Sequence, residues 1–242
     1  FEITAANVEG ANEAGGEKNI ATGYHAIEFL LWGQDTNDDG PGARPHTDYV
    51  TDGSGTAANQ DRRGQFLSVC GDLLVTHLTM LRDAWADGGS YGASFTEGGD
   101  ASLEKILTGM IVLAGFETGG ERLQAALDAG DREEEHSCFS DNTHRDMIQD
   151  VQGIHNVYAG TYTKLGGGDV DGKGIKDVIA EAYADLSARL GTEIADALAK
   201  ANAMETPFEA EIIATNPDGN ARVAALISAL RTVEGTLEEV FE

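Results

Sequence analysis

The chain has little cysteine, little proline, few basic residues and no long apolar run. Its 242 residues include two cysteines and four prolines, and 42 acidic side chains stand against 16 basic ones. Two cysteines do not make a disulfide framework, although Cys70 and Cys138 could pair in an oxidising compartment. The formal net charge of −26 repels nucleic-acid phosphates and anionic lipid surfaces, so we expect no nucleic-acid partner. Without a run of about 18 apolar residues, no segment is expected to span a bilayer.

Alanine and leucine are abundant and recur at helical spacing, which predicts an all-α fold. We expect two packed helical bundles, residues 1–95 and 96–242. A repeated order of an apolar helix with a pair of polar side chains, a polar loop and a further helix suggests that they arose by duplication. The predicted helices span residues 19–32, 62–85, 101–127, 142–165, 175–203 and 220–241.

The most informative segment is the first predicted helix, which places His25 and Glu28 in an otherwise apolar stretch. A spacing of three residues puts both side chains on one face of a helix, about a turn apart. A glutamate is rarely buried unless it is paired or bound to a cation. The pair can therefore supply two ligands to a metal ion, or it can be a hydrogen bond that satisfies both groups in a core.

The third predicted helix carries a second polar interruption. Its apolar stripe ends at Glu117, and Glu121 and Arg122 follow one turn later, with Gly119 and Gly120 between them. A buried Glu117 needs a cation, an arginine or a proton. We therefore predict that Glu117 or Glu121 completes the ligands of His25 and Glu28, and that Arg122 orients a carboxylate.

The segment before the fourth predicted helix adds further candidates. Asp141 is expected at or next to the helix start, and His144 begins the inward-facing stripe of that helix. Both are predicted to bind the metal or to orient its ligands. The run Glu133–Glu135 is expected to be solvated. His77, on the stripe of the second predicted helix, is expected in or at the edge of a core.

An acidic loop follows the first predicted helix. Asp35 to Gly40 imitates the start of an EF-hand calcium loop, but His46 stands where the twelfth position needs glutamate, which excludes an EF-hand. A weak surface cation site there stays open. Neither the zinc-protease pattern H-E-x-x-H nor the serine elbow G-x-S-x-G is present, so no complete catalytic set can be read from the chain.

Several segments together resemble the imelysin family, also called the insulin-cleaving metalloproteinase family, and most closely its iron-regulated protein A branch. The order of the motifs is the same over nearly the whole chain. They are GYHAIEF at 23–29, which matches G-x-H-x-x-E, then G-E-R at 120–122, HSCFSD at 136–141, G-I-x-N-V-Y-x-G at 153–160, and Pro207–Phe208.

The resemblance implies an exported protein of the periplasm or cell surface that binds a metal ion, iron or zinc, or a small metal-bearing ligand in iron acquisition. A metal-dependent peptidase and a non-catalytic interaction module of the cell surface are the alternatives. Family members carry a helical segment before the first motif, and only about twenty residues precede it here. We therefore expect a missing N-terminal part, a cleaved segment being one candidate partner and a cell-envelope protein another.

Overall fold

The structure, a computed structural model, describes residues 1–16, 19–37 and 40–241. It confirms the all-α prediction, since the regular structure of these described residues is helical apart from one small hairpin. The chain divides into two compact units, Phe1–Gly99 and Asp100–Glu242. The sequence predicted this division four residues earlier, between residues 95 and 96. In the described part of the chain, no helix has both the length and the apolar character that crossing a bilayer requires.

The first unit is built around a long helix, α3 (Gln60–Trp85), against which α1 (Ala5–Ala11) and α2 (Gly23–Trp32) pack. Its core is small and includes Ala26 and Leu30 of α2 and Cys70 and Leu73 of α3. Beyond Leu73, the apolar side chains of α3 are largely exposed, so the stripe of the second predicted helix, on which His77 lies, is not buried in its second half. The helices of this unit are α1 (Ala5–Ala11), α2 (Gly23–Trp32), α3 (Gln60–Trp85) and α4 (Ser90–Thr96), with a 3₁₀ turn at His46–Tyr49.

The second unit holds the larger core, which α7 (Thr143–Ala159), α9 (Ala184–Ala201) and α11 (Pro217–Phe241) build together with a π-helical segment (Val112–Gln124). Leu190, Ile194 and Leu230 are fully buried in it. The elements are α5 (Asp100–Ile111), the π-helical segment (Val112–Gln124), α6 (Ala125–Ala129), a 3₁₀ turn (Arg132–Glu134), α7 (Thr143–Ala159), β1 (Thr161–Thr163), β2 (Asp169–Asp171), α8 (Ile175–Ala180), α9 (Ala184–Ala201), α10 (Phe208–Ile212) and α11 (Pro217–Phe241).

The π-helical segment occupies the middle of what the sequence predicted as one α-helix. Its turns are wider than α-helical turns, so the buried positions move from the predicted stripe to Thr118, Gly119 and Leu123. α11 packs closely against it: a Cβ built on Gly115 would lie 1.8 Å from Glu234 Oε1. Glycine at this position therefore leaves room for the Glu234 carboxylate.

The helix α7 ends earlier than predicted, at Gly160, which adopts a left-handed φ of 72°. The chain then forms the antiparallel hairpin β1–β2, in which Tyr162 pairs with Val170. Leu165, at the tip of this hairpin, is fully exposed. The predicted helix 175–203 is also interrupted, because α8 ends at Ala180 and α9 begins at Ala184.

Candidate functional site

The His25 and Glu28 side chains meet on one face of α2. His25 Nδ1 lies 2.8 Å from Glu28 Oε2. The Glu28 side chain is only 9% exposed, whereas that of His25 is 38% exposed. An ionised carboxylate only accepts hydrogen bonds, so in this contact the shared proton belongs to Nδ1; in a neutral imidazole of this tautomer, Nε2 is the nitrogen that can bind a metal.

The loop after α2 fixes the helix at its C-terminal end. Gly33 has a φ of 78° and donates its N–H to the Phe29 carbonyl at 2.8 Å. Arg44 donates Nη2–H to the same carbonyl at 3.2 Å, and its guanidinium lies 5.4 Å from the centre of the Phe29 ring. A cation at a helix C-terminus is favourable because the last carbonyls carry partial negative charge. The turn of α2 that carries Glu28 is therefore held from both the helix and the loop.

Tyr49 provides a further anchor in the same unit. Its hydroxyl donates a hydrogen bond to the Leu30 carbonyl. Burial raises the pKa of Tyr49, while the neighbouring guanidinium groups of Arg44 and Arg63 act in the opposite direction. The phenol therefore stays protonated and keeps donating to α2 throughout the physiological range.

A second histidine–glutamate contact in the first unit has a different setting. His77 Nε2 lies 2.9 Å from Glu9 Oε1, but the two side chains are 44% and 55% exposed. The prediction that His77 belongs to a core or its edge is therefore wrong, because α3 presents this turn to solvent. The His77–Glu9 pair therefore provides a comparison for His25–Glu28: the same two side-chain groups are in contact, but the carboxylate is exposed to solvent.

The Glu117 side chain does not occupy the core position that the α-helical pattern predicts for it. Glu117 is 38% exposed and accepts a hydrogen bond from Arg122 Nη2 at 3.2 Å. Glu121 is exposed. The sequence predicted that a cation, an arginine or a proton would compensate the charge of Glu117. In the structure, the arginine Arg122 forms this contact.

Asp150 of α7 extends this polar group. Thr118 donates its hydroxyl to Asp150 Oδ2 at 3.0 Å. Burial raises the pKa of Asp150, and the neighbouring carboxylates Asp146 and Glu117 raise it further; the Thr118 hydroxyl and Arg122 act to lower it. The arrangement can hold a proton on a carboxyl group, a feature that the sequence did not indicate.

A second pair of carboxyl groups in the second unit comes from residues far apart in the chain. Asp141 and Glu209 each place a carboxylate oxygen within 4.8 Å of the other. Glu209 is buried at the start of α10, and Arg132 Nε lies 3.8 Å from its Oε2. Asp141 has a φ of 53°, and Asn142 instead occupies the N-cap position of α7. Two carboxylates this close favour a cation or a shared proton.

The segment around Asp141 contains further buried polar groups. The Nδ1 atom of His144 is buried and has no hydrogen-bond partner among the residues that the structure describes. Glu135 is 7% exposed, so the expectation of a fully solvated Glu133–Glu135 run is wrong at its last residue. Ser137 donates its backbone N–H to Thr143 Oγ1 at 3.0 Å and its hydroxyl to Asp146, which holds this segment on the start of α7.

The residues that the sequence predicted for one metal site thus form separate groups, and each group lies within one of the two units. His25 and Glu28 belong to the first unit, whereas Glu117, Glu121, Arg122, Asp141 and His144 belong to the second. A metal shared between them stays a prediction. Sequence reasoning missed Glu209, and its only signal was its place directly after the Pro207–Phe208 match. In the acidic loop, Asp35 is buried, while Asp38 and Asp39 lie outside the described residues.

The donor chemistry of these groups suits a metal ion. Imidazole nitrogen binds iron and zinc well, and carboxylate oxygen binds both. A buried carboxylate beside an imidazole is also an arrangement that a cation stabilises, because the cation offsets the cost of burying negative charge. The His25–Glu28 pair has both properties.

Comparisons with known proteins give one family and one fold. The imelysin (peptidase M75) family model matches residues 2–237. The fold is similar to the crystal structure of a protein assigned as an iron-regulated protein A precursor from Parabacteroides distasonis. That likeness has a TM-score of 0.67 at 14% sequence identity, and it covers 100% of this chain and 73% of the other. Among curated proteins, none matches.

Proposed function

The chain belongs to the imelysin family, and on this premise we propose that it binds a metal ion, iron or zinc, or a small metal-bearing ligand, through His25 and Glu28. The role we propose for that binding is iron acquisition. The iron-regulated description of the structural relative belongs to that protein and supports the choice of iron.

The observation that carries the proposal is the burial of the Glu28 carboxylate against His25 Nδ1 at 2.8 Å. His25 and Glu28 would hold the ion, and α2, fixed at its end by Arg44, would keep them in place. When bound, the ion supplies positive charge beside a carboxylate that water reaches poorly. The exposed His77–Glu9 pair lacks that burial and has no such need for a cation.

The first prediction is that His25→Ala and Glu28→Gln each weaken metal binding by at least about tenfold, because each removes a donor. Calorimetric titration of Fe(II) without oxygen, and of Zn(II) in parallel, measures the affinity. His77→Ala is the matched control, since it removes a histidine from an exposed pair at nearly the same distance. If His77→Ala and His25→Ala lost the same amount of metal affinity, the metal would be binding generally to surface histidines, and the proposal would be overturned.

The remaining ligands are proposed to come from the second unit. If Glu117 or Glu121 shares the metal with His25, then combining the substitutions should cost less affinity than the sum of the single losses. Glu117→Ala, Glu121→Ala and their combinations with His25→Ala test this in the same titration. Asp141→Asn and Glu209→Gln test the other carboxylate pair. Additive losses, or unchanged affinity in all four single variants of the second unit, would show that the ion is held without them.

The second prediction concerns peptide hydrolysis, the activity in the family's peptidase name. We expect no endopeptidase turnover, because His25 and Glu28 do not supply a nucleophile, a base and oxyanion donors together. Incubation with unstructured peptides, with and without chelator, measures it. Cleavage that the chelator stops and that Glu28→Gln abolishes would favour the metal-dependent peptidase instead.

We also propose that the protein acts outside the cytoplasm, in the periplasm or at the cell surface. The precursor status of the structural relative supports export. A cell-envelope protein that receives or delivers the metal would be the partner. Fractionation of the native cells, with detection by an antibody against this chain, tests the location, and a purely cytoplasmic signal would contradict it.

A further inference from the structure

A cleft in the second unit lies where the predicted helix 175–203 is interrupted. Its inner part is a cavity of about 480 Å³ bounded by α5, α8, α9 and α11. Its outer part is a cavity of about 540 Å³ that shares Ala182, Tyr183, Leu186 and Glu239 with the inner one. Sites for small molecules commonly have this size.

The two parts of the cleft differ in chemistry. The charged side chains of the outer part are Asp185, Arg189 and Glu239. The inner part is lined mainly by aliphatic side chains, among them Leu107, Ile175, Val178, Ile179, Leu186 and Val240. A molecule that fits both parts must have an apolar body and a polar end.

The charged side chains of the outer part determine whether the polar end of the bound molecule should be positive or negative. Arg189 forms an ion pair with Glu239, and its Nε lies 4.0 Å from Glu193 Oε1. Among the described side chains that line the outer part or pair with Arg189, one guanidinium stands against three carboxylates, Asp185, Glu193 and Glu239. The chain as a whole carries a formal charge of −26, which adds to a negative potential at the surface. A cation is favoured here and an anion is not.

Tyr183 gives the cleft a further feature that suits a cation. It stands at the interruption between α8 and α9, lines both parts of the cleft and is 67% exposed. Neither glycine nor proline is present at 181–183 to cause the interruption. An exposed aromatic face beside carboxylates attracts ammonium groups, most of all when an apolar body holds them in place.

We propose that this cleft binds a hydrophobic organic cation, an alkyl ammonium whose chain lies in the inner part and whose charged group lies between Tyr183 and Glu239. The cleft is a binding site separate from the His25–Glu28 pair, and occupancy does not require a metal. Release of Glu239 from Arg189 accompanies binding, because the ammonium competes with the guanidinium for the same carboxylate.

Calorimetric titration with decyltrimethylammonium, below its micelle-forming concentration, tests the proposal on the full chain. Saturable binding near one molecule per chain is expected, with decanoate, the anion of similar chain length, at least about tenfold weaker. Equal or tighter binding of decanoate would overturn the sign of charge that the cleft selects. An absence of saturation would overturn the site itself.

Matched variants locate the binding. Glu239→Gln should weaken it at least about fivefold. Glu238→Gln, which removes the same charge from an exposed neighbour outside the cleft, should not. Arg189→Gln should strengthen binding, because the competing cation is gone. Equal effects of the two glutamate variants would reduce the binding to general attraction by an acidic surface, and weaker binding in Arg189→Gln would contradict the competition.

Ile179→Trp provides a test that does not depend on charge. It fills the inner part of the cleft and should abolish binding of the alkyl chain. Its fold is checked by circular dichroism, and Tyr183→Leu serves as a second variant if the tryptophan does not fold. Tyr183→Leu keeps an apolar side chain and removes the aromatic face, so it should lower the affinity for the ammonium and leave any binding of decanol unchanged. Undiminished ammonium binding in a folded variant would overturn the assignment.

Discussion

Asp150 shows how one side chain can set a pH dependence of stability. Its pKa is raised above the ordinary 3.8, first by burial and then by the carboxylates of Asp146 and Glu117. A carboxyl whose pKa is higher in the folded than in the unfolded state favours folding only while it is protonated. That contribution is fully present below pH 3.8 and is lost as the pH rises through the folded-state pKa.

The third prediction follows from this direction. Asp150→Asn removes the charge and keeps an oxygen that can accept the Thr118 hydroxyl. It should raise the midpoint of thermal unfolding by about 2 °C at pH 7, and the gain should shrink as the pH falls toward 4. Differential scanning calorimetry at both pH values measures it. Asp128→Asn, at an exposed position, is the control; a gain that grows on acidification would contradict the raised pKa.

Some site residues could be predicted individually and others could not. The spacing of His25 and Glu28 predicted their contact because a three-residue step on a helix is a local constraint. Glu209 could not be related to Asp141, because nearly seventy residues separate them and only the tertiary fold brings their carboxylates together. Tertiary contacts of this kind leave no periodic signal in a single sequence.

At the scale of elements, α-helices were predictable and departures from α-helical geometry were not. The end of α3 at Trp85 and the start of α8 at Ile175 agree with the pattern. The π-helical segment was read as α-helix, since the two differ only by about one residue per turn. Because of that difference, Glu117 does not lie on the buried face that the α-helical pattern predicted for it. The interruption between α8 and α9 was missed for a related reason, because no glycine or proline marks it.

The junction after α7 yields the fourth prediction. A Cβ built on Gly174 would lie 2.3 Å from the Tyr158 carbonyl oxygen and 2.4 Å from the Gly160 nitrogen. Both atoms belong to the backbone, so Gly174→Ala must shift the chain, and we expect a loss of about 3 kcal/mol in the free energy of unfolding. Gly153→Ala, within α7, meets nothing within 4 Å. It should instead gain about 0.5–1 kcal/mol from helix propensity.

Urea unfolding of the two glycine variants beside the parent chain measures both changes. The comparison is informative because each variant adds one methyl group, which meets backbone atoms at Gly174 and open space at Gly153. If Gly174→Ala were as stable as the parent chain, the close approach of the chain at Gly174 to the end of α7 would be wrong.

At the scale of the whole molecule, the two cores differ in size. Every buried member of the larger cluster lies between Met110 and Leu237, in the second unit. The smaller cluster lies entirely in the first unit, and among the described residues its six buried members include Ile3, Val8 and Leu73. Since burial of apolar surface is the main favourable term in folding, the two units should differ in their ability to fold alone.

The fifth prediction is that a fragment of residues 100–242 folds by itself, whereas residues 1–99 do not. Far-ultraviolet circular dichroism with thermal scans measures this. The larger fragment should keep its helical signal and unfold in one cooperative transition, and the smaller should melt gradually. Cooperative unfolding of residues 1–99 alone would show that its core is sufficient and that the apolar side chains exposed along α3 do not limit it.

The hairpin that follows α7 has a practical consequence. Its tip carries Lys164 and the fully exposed Leu165, followed by three glycines, and none of these residues belongs to either core cluster. Among the described residues, extra residues at the tip would interrupt backbone hydrogen bonds within the tip, such as Lys164 N–H to Gly168 O at 3.0 Å. Loops of this kind accept foreign peptides with little loss of stability. An epitope, a fluorophore-binding tag or the new termini of a circular permutant could be placed between Gly166 and Gly167, giving a reporter attached to a chain whose His25–Glu28 pair and cleft are left unaltered.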